Sequence, residues 1–240
     1  RGLGDVYKRQ VIGDMTKRPR YQGAGSSTIN PYRLTNLLDC LKEQGIECSY
    51  AQGYERVESE NDVTLREEAI KVAKNSELVI LCVGLTENFE SEGMDRFTLD
   101  IPANQNKLIE EICKVNKKVV IVLSNGSPIL MPWKDNVQAI ITGYLGGEAG
   151  AEAMVNCLTG KVNPSGKLAE TYPLSLEDTP CYNYYPGTEV SVEYKESIYV
   201  GYRYYDKISK NVLFPFGYGL SYTTFEYSNL NVEEDEEDII

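Results

Sequence analysis

The sequence predicts an α/β fold in which a parallel or mostly parallel sheet carries helices on both faces. Three observations lead there. Short apolar runs, Leu78–Val83 (LVILCV), Lys118–Leu123 (KVVIVL) and Val137–Ile141, read as strands buried on both sides. Segments with apolar residues at helical spacing stand between them. Glycine- and proline-bearing turns separate the two kinds of segment, and no internal repeat or low-complexity run interrupts the alternation.

A first strand ends at Val11-Ile12-Gly13. Asn30-Pro31 is then placed to cap a helix whose stripe is Leu34, Leu37, Leu38 and Leu41, stopped by Gly45. A short strand follows at Ile46–Tyr50. Asn61 or Asp62 opens the next helix, which sets Leu65, Ala69, Ile70 and Ala73 on one face before strand Leu78–Val83. The helix near Ala103–Asn116 gathers Leu108, Ile109, Ile112 and Cys113. After Lys118–Leu123 and Val137–Ile141, Gly146-Gly147 leads into a helix ending near Gly160.

The character changes from about Leu174, where helical periodicity is lost. Eleven of the 18 tyrosines lie between Tyr182 and Tyr227. Aromatic faces suit pyranose rings, but they also anchor long irregular segments by packing, and packing is the favoured reading.

Composition excludes several function classes. The 42% hydrophobic content of the 240 residues and a mean hydropathy of −0.36 describe a globular chain. No apolar run approaches the ~20 residues of a membrane helix. Lys+Arg 24 against Asp+Glu 36 leaves −12, which argues against nucleic acid and anionic membranes as partners. Histidine is absent, so Ser-His-Asp and Cys-His catalysis and His-ligated zinc cannot be built from these residues. General acids and bases must be carboxylates, Tyr, Lys or Cys. The six cysteines show no metal-ligand spacing. They read as reduced thiols, which favours a cytoplasmic over a secreted setting, with a Cys40–Cys48 disulfide left open.

The ends stand apart. Arg1–Gln10 (RGLGDVYKRQ) lacks the apolar core of a signal peptide and looks like an adapter-derived peptide, so it is set aside. Glu233–Asp238 (EEDEED) reads as a solvated linker or strand edge.

The loop after Leu78–Val83 holds the chemistry. Gly84–Asp95 (GLTENFESEGMD) carries Glu87, Glu90, Glu92 and Asp95 beside Arg96. Ligands of open α/β sheets bind outside the carboxyl ends of strands, so acid–base chemistry fits here, although a solvated acidic loop has the same composition. Gly23-Ala24-Gly25-Ser26-Ser27 stands where a dinucleotide-binding turn would, but the third glycine is missing and the helix starts too late, so it reads as a tight structural loop. Gly146–Gly150 reads as close strand–helix packing, and Asn163–Gly166 as a turn.

Six motifs occur in order: QGAGSS (Gln22–Ser27), GLTENFESEGMDR (Gly84–Arg96), GYLGGEAGAEA (Gly143–Ala153), NPSGKL (Asn163–Leu168), VGYRYYD (Val200–Asp206) and FPFGYGLSYTTF (Phe214–Phe225). Together they resemble the carboxyl-terminal domain of glycoside hydrolase family 3, the β-glucosidase-type enzymes. The resemblance implies an (α/β)6-type sandwich over residues 11–220. Residues 221–240 would then be a linker and the first strand of a fibronectin-III-like domain, with Phe225–Val232 (FEYSNLNV) showing the alternation of that strand.

It also implies a retaining exo-β-glycosidase, most simply a β-glucosidase, acting on β-glucosides or oligosaccharides without metal or cofactor. An amino-terminal TIM-type barrel of the parent chain, absent from these residues, would supply the aspartate nucleophile. Glu92 matches the general acid/base, and this fragment alone would be inactive. Glu90 is the rival, since two residues two apart in an extended loop point the same way. Asp95 and Arg96 would pair and steady the loop or touch substrate. Gly93 would admit a close approach of backbone to ligand. Ser197 stands where a glycine is common, and Tyr218 where many relatives carry histidine. The competing reading is a non-catalytic carbohydrate-binding or assembly module with the same fold; a third, a nucleotide-binding enzyme, would use Gly23–Ser27.

Overall fold

The computed structural model describes residues 8–232. Five strands form one sheet: β1 (Arg9–Ile12), β2 (Ser49–Ala51), β3 (Leu78–Gly84), β4 (Val119–Ser124) and β5 (Ala139–Thr142). Their order is β2-β1-β3-β4-β5, and every pairing is parallel. The expected mostly parallel sheet is therefore wholly parallel among the described residues, and it has five strands where the resemblance implies six.

Five helices accompany it: α1 (Leu37–Glu43), α2 (Asp62–Ala73), α3 (Ala103–Val115), α4 (Gly150–Leu158) and α5 (Tyr202–Lys207). Period-two alternation sorts the core. Val79, Leu81 and Val83 of β3 pack with Leu108, Ile109 and Ile112 of α3, while Ile80 and Cys82 pack with Leu37 and Leu41 of α1 and Val155 and Leu158 of α4. All seven residues of β3 are buried, as a strand covered on both faces requires.

Several local expectations shift. The helix placed at Asn30-Pro31 begins only at Leu37, capped by Asn36, whose side chain accepts from the Asp39 N–H at 3.0 Å. The preceding stretch is held elsewhere: Thr35 N–H donates to the Glu148 carbonyl at 3.1 Å and Tyr32 N–H to Glu148 Oε1 at 2.7 Å. Those two bonds outbid helical continuation, and Leu34 is left partly exposed. The tail predicted to lack helix contains the short α5. Phe225–Val232 joins no ladder among the described residues, because an alternating segment without a sheet edge beside it has nothing to pair with.

At the start, β1 begins at Arg9, so the last two residues of the segment set aside take ladder positions. Ladder bonds are backbone bonds and do not depend on which side chains are present. Gln10 is fully buried with no partner for its amide, a poor tenant for an interior strand. Arg1–Tyr7 and the acidic run Glu233–Asp238 lie outside the described residues. No cysteine is bridged, Cys40 and Cys48 included. Among the described residues no helix is long and apolar enough to cross a membrane.

The tail returns to the sheet through aromatic packing, as favoured. Tyr172 and Phe214 form an antiparallel bridge and an edge-to-face ring pair at 6.3 Å, and Tyr202 stacks on Phe216 at 4.7 Å. Ser197 has φ +51°, which explains why a glycine suits that position better.

Candidate active site at the carboxyl edge of the sheet

From β1 the chain steps outward to β2, then crosses to β3 on the opposite side of β1. The carboxyl ends of β1 and β3 therefore flank the point where strand order reverses, the usual site of a ligand crevice. The loop after β1 carries Gly23–Ser27 and the loop after β3 carries the acids. The fold brings these two sequence-distant motifs into contact.

Glu92 lies at the exposed tip of the second loop. Its Oε2 accepts from the Ser26 backbone N–H at 2.6 Å and from the Ser26 hydroxyl, and its own N–H donates to the Ala24 carbonyl at 3.1 Å. A Cβ on Gly25 would fall 2.6 Å from the Glu92 Cβ, so the glycine makes room for the acid; its φ of +102° makes the same demand. The Gly23–Ser27 turn, read from sequence as structural, is the cradle of Glu92.

The Ser26 hydroxyl and then the Ser26 N–H hold the Glu92 carboxyl below its ordinary range, because both donate to the ionised form. The carboxyl is open to solvent on its other side, so the slight desolvation it feels does not outweigh the two Ser26 donors.

Glu90 turns the opposite way. Its Oε2 accepts from Gly126 N–H at 2.9 Å and lies 3.5 Å from Arg20 Nη1, and its Oε1 accepts from the Ser127 hydroxyl. The two glutamates, inseparable by periodicity, are thus separated by a turn: Phe89 and Glu90 N–H groups both donate to the Thr86 carbonyl, at 2.9 and 3.1 Å. Arg20, with only 3% of its surface exposed, fastens this root through Leu85 and Glu90 carbonyls at 2.8 and 2.9 Å and the Gln22 carbonyl at 3.2 Å. Glu87 pairs with Arg56 at 3.0 Å, and Arg56 with buried Asp14 at the same distance.

Asp95 and Arg96 do not pair as expected. Asp95 accepts from the Tyr185 hydroxyl of the tail, whereas Arg96 Nη1 donates to Ser127 Oγ at 2.7 Å and Pro128 O at 3.0 Å. Both still tie the loop down, through different partners. Gly93 has φ +75° and open space where a Cβ would stand, so the turn itself calls for glycine.

Sequence reasoning passed over Arg20, Ser26 and Ser127. Only Ser26 lay in a motif it singled out; the others become visible when the strand ends converge. Among the described residues no three of Cys, Asp and Glu gather to hold a metal ion. A cavity of about 50 Å³ lies nearby, lined by Arg20, Cys82, Ser124, Tyr144 and Met154. It is far below the size of a small-molecule pocket, and Glu92 does not line it. Glu92 instead faces outward from an open surface.

A parallel α/β domain presenting a carboxylate from the loop beside its switch point defines the class: an open, wholly parallel sheet with a candidate ligand site at its carboxyl edge. The model of the glycosyl hydrolase family 3 C-terminal domain matches residues 5–222. The chain belongs to glycoside hydrolase family 3, as its carboxyl-terminal domain.

It is 48% identical over 228 residues to thermostable beta-glucosidase B of Acetivibrio thermocellus, spanning 93% of this chain and 30% of that protein. It is 46% identical over 226 residues to an exo-alpha-(1->6)-L-arabinopyranosidase of Bifidobacterium breve, spanning 94% of this chain and 30% of that protein. The crystal structure of a family 3 beta-glucosidase from Bifidobacterium adolescentis superimposes with a TM-score of 0.89 at 45% identity, covering 95% of this chain and 34% of that one. The chain thus spans about a third of the length of the relatives it matches.

Proposed function

We propose that this domain supplies the general acid/base of a retaining exo-β-glycosidase, β-glucosidase being the preferred activity. Glu92 is that residue. It protonates the departing glycosidic oxygen, then deprotonates the water that releases the glycosyl-enzyme. The nucleophilic aspartate comes from an amino-terminal barrel packed over the open face of the Gly84–Arg96 loop. Retention places the two carboxyl groups ~5 Å apart, so the reaction centre lies between the domains.

One observation carries the reading: Glu92 of the ESEGMDR motif stands at the switch point, held by a cradle on one side and bare on the other. Its lowered pKa also fits a half-site. A barrel carboxylate and the loss of water from the open side would both push Glu92 upward, toward the protonated form that the first step needs. The isolated domain, with neither, does not turn over.

The test uses the full-length enzyme. Glu92→Ala is expected to abolish hydrolysis of glycosides with poor leaving groups while sparing the first step on activated aryl glycosides, and azide should restore turnover on the latter. Undiminished hydrolysis of poor-leaving-group substrates removes the assignment.

The stand-alone carbohydrate-binding or assembly module keeps one observation in its favour: Tyr32, Tyr194 and Tyr227 are 100%, 82% and 91% exposed, which suits stacking on sugars. Sequencing the source DNA upstream of the Val11 codon separates the readings. A continuous frame of roughly 250 residues of β/α repeats supports the hydrolase; a start codon close to Val11 supports the module. Relatives bearing the names beta-glucosidase and arabinopyranosidase share this domain equally, so the sugar is proposed to be chosen on the barrel side.

A further inference from the structure

The part of the acidic loop that carries Glu92 is an arch, residues 91–95, and both its ends stand on one hydroxyl. Glu90 Oε1 accepts from Ser127 Oγ, and Ser127 Oγ in turn accepts from Arg96 Nη1 at 2.7 Å. Glu90 and Arg96 make no direct hydrogen bond or ion pair with each other, so this oxygen links the residue that opens the arch to the residue that closes it. Neighbouring backbone completes both attachments. Gly126 N–H donates to Glu90 Oε2 at 2.9 Å, and Pro128 O accepts from Arg96 Nη1 at 3.0 Å.

The segment beneath is fixed from the sheet side. Asn125, fully buried just past the end of β4, donates from Nδ2 to the Ser127 carbonyl and to the Tyr172 hydroxyl, both at 2.9 Å. The top of the arch is held more lightly: Ser26 meets Glu92 and Tyr185 meets Asp95, and all four residues are exposed. The aim of Glu92 therefore depends on the ends of the arch. A hydroxyl that donates to a carboxylate while accepting from a guanidinium is polarised in the same sense by both charges, which strengthens each bond.

We propose that Ser127 is a positioning residue of this site, a clasp that closes the two ends of the arch on each other and so sets where the Glu92 carboxyl points. This rests on the reading of Glu92 as the acid/base. A hydroxyl suits the place because it donates and accepts through one atom. Alanine would do neither. Glu90 would keep Gly126 and Arg20, and Arg96 would keep Pro128, so each end stays attached but no longer to the other. What is lost is the aim of the arch and not the loop itself.

In the full-length enzyme, Ser127→Ala should lower kcat/KM about tenfold for glycosides with poor leaving groups, which need the proton, and much less for activated aryl glycosides, which depart without it. A role in folding alone would lower both in the same ratio, through a smaller active fraction. Ser127→Thr, which returns the hydroxyl, should recover most of the loss. Arg96→Lys opens the clasp from its other partner, since an ammonium lacks the planar fork of a guanidinium, and it should give the same dependence on leaving group even if Ser127→Ala fails to fold. The double variant should lose no more than the larger single loss. No loss, equal losses on the two kinds of substrate, or losses that multiply in the double variant overturn the proposal.

Hydrogen exchange in the 240-residue chain keeps the two readings apart. Glu92 N–H, bonded to the Ala24 carbonyl at 3.1 Å, and Met94 N–H, bonded to the Ser91 carbonyl at 3.3 Å, should exchange faster in Ser127→Ala and slow again in Ser127→Thr, with β3 unchanged. Unmoved exchange in the arch overturns the clasp. A wild-type full-length enzyme that hydrolyses no glycoside overturns the functional reading instead, and the exchange experiment still decides whether Ser127 closes the arch.

Discussion

At its root, the loop after β3 is fastened by a buried arginine, two backbone carbonyls and a carboxylate that is itself held by Gly126 and Ser127. At its tip, two residues further along, a second carboxylate rests on one serine and otherwise meets water. Root and tip share composition and chemistry, and they differ in how many partners the fold supplies. A carboxylate with several internal donors is committed to structure; one with a single cradle and an open side is available to a ligand. Charge count along a loop therefore says little about which acid reacts, whereas the distribution of donors says a great deal.

The contrast can be broken from either end. The largest effect belongs to the tip: in the full-length enzyme, Glu92→Gln should lower kcat/KM for poor-leaving-group glycosides by about 10²–10⁴, with folding intact by circular dichroism. Glu90→Gln should leave chemistry nearer wild type and show its loss in stability; equal catalytic losses for the two would erase the distinction.

Next comes the root. Arg20→Ala strips the donors from the Leu85, Glu90 and Gln22 carbonyls and uncovers the Glu90 charge. It is expected to cost about 3 kcal/mol, read as a lower midpoint in urea unfolding. A change under about 0.5 kcal/mol, typical of surface sites, would mean that the root is held by something else.

A smaller loss is expected at Gly93, where φ is +75° and a Cβ meets nothing. Gly93→Ala should cost about 1 kcal/mol through backbone strain alone, with no steric clash. Gly93→Asn, better tolerated in that region, should recover part of it.

The smallest and sharpest concerns Ser26. Ser26→Ala removes the hydroxyl that contributes most to holding Glu92 ionised and keeps the backbone N–H. The Glu92 pKa should rise, visible as an upward move of its carboxyl titration in ¹³C NMR, while Ser26→Thr leaves it in place. Because the wild-type carboxyl titrates below its unfolded value, whatever it adds to stability is present at neutral pH and fades only in acid. An unmoved titration in Ser26→Ala would show that the cradle is the backbone alone.

The strands were legible because their residues repeat a physical demand. LVILCV and KVVIVL admit little except a strand buried on both faces, and β3 and β4 appear where those runs stand. The helix Ala103–Asn116 was legible through its apolar stripe and appears as Ala103–Val115. The start of α1 was not, since Asn30-Pro31 and Asn36 both look like caps, and the choice fell to contacts with Glu148, more than a hundred residues away. The site divides the same way. Its acids stood in one loop in plain view, but their partners, Arg20, Ser26 and Ser127, arrive from other strand ends and carry no local signal that they belong together.

By itself, then, the sequence determined the layering of the domain and the loop in which its candidate site lies, because burial periodicity and strand-end loops are local properties written residue by residue. Tertiary structure alone decided which glutamate is bound into the scaffold and which is left free, and why Gly25 and Ser26 matter to it. Those outcomes depend on donors brought together from distant parts of the chain, and the energy of a carboxylate is set by what surrounds it, not by its neighbours in sequence.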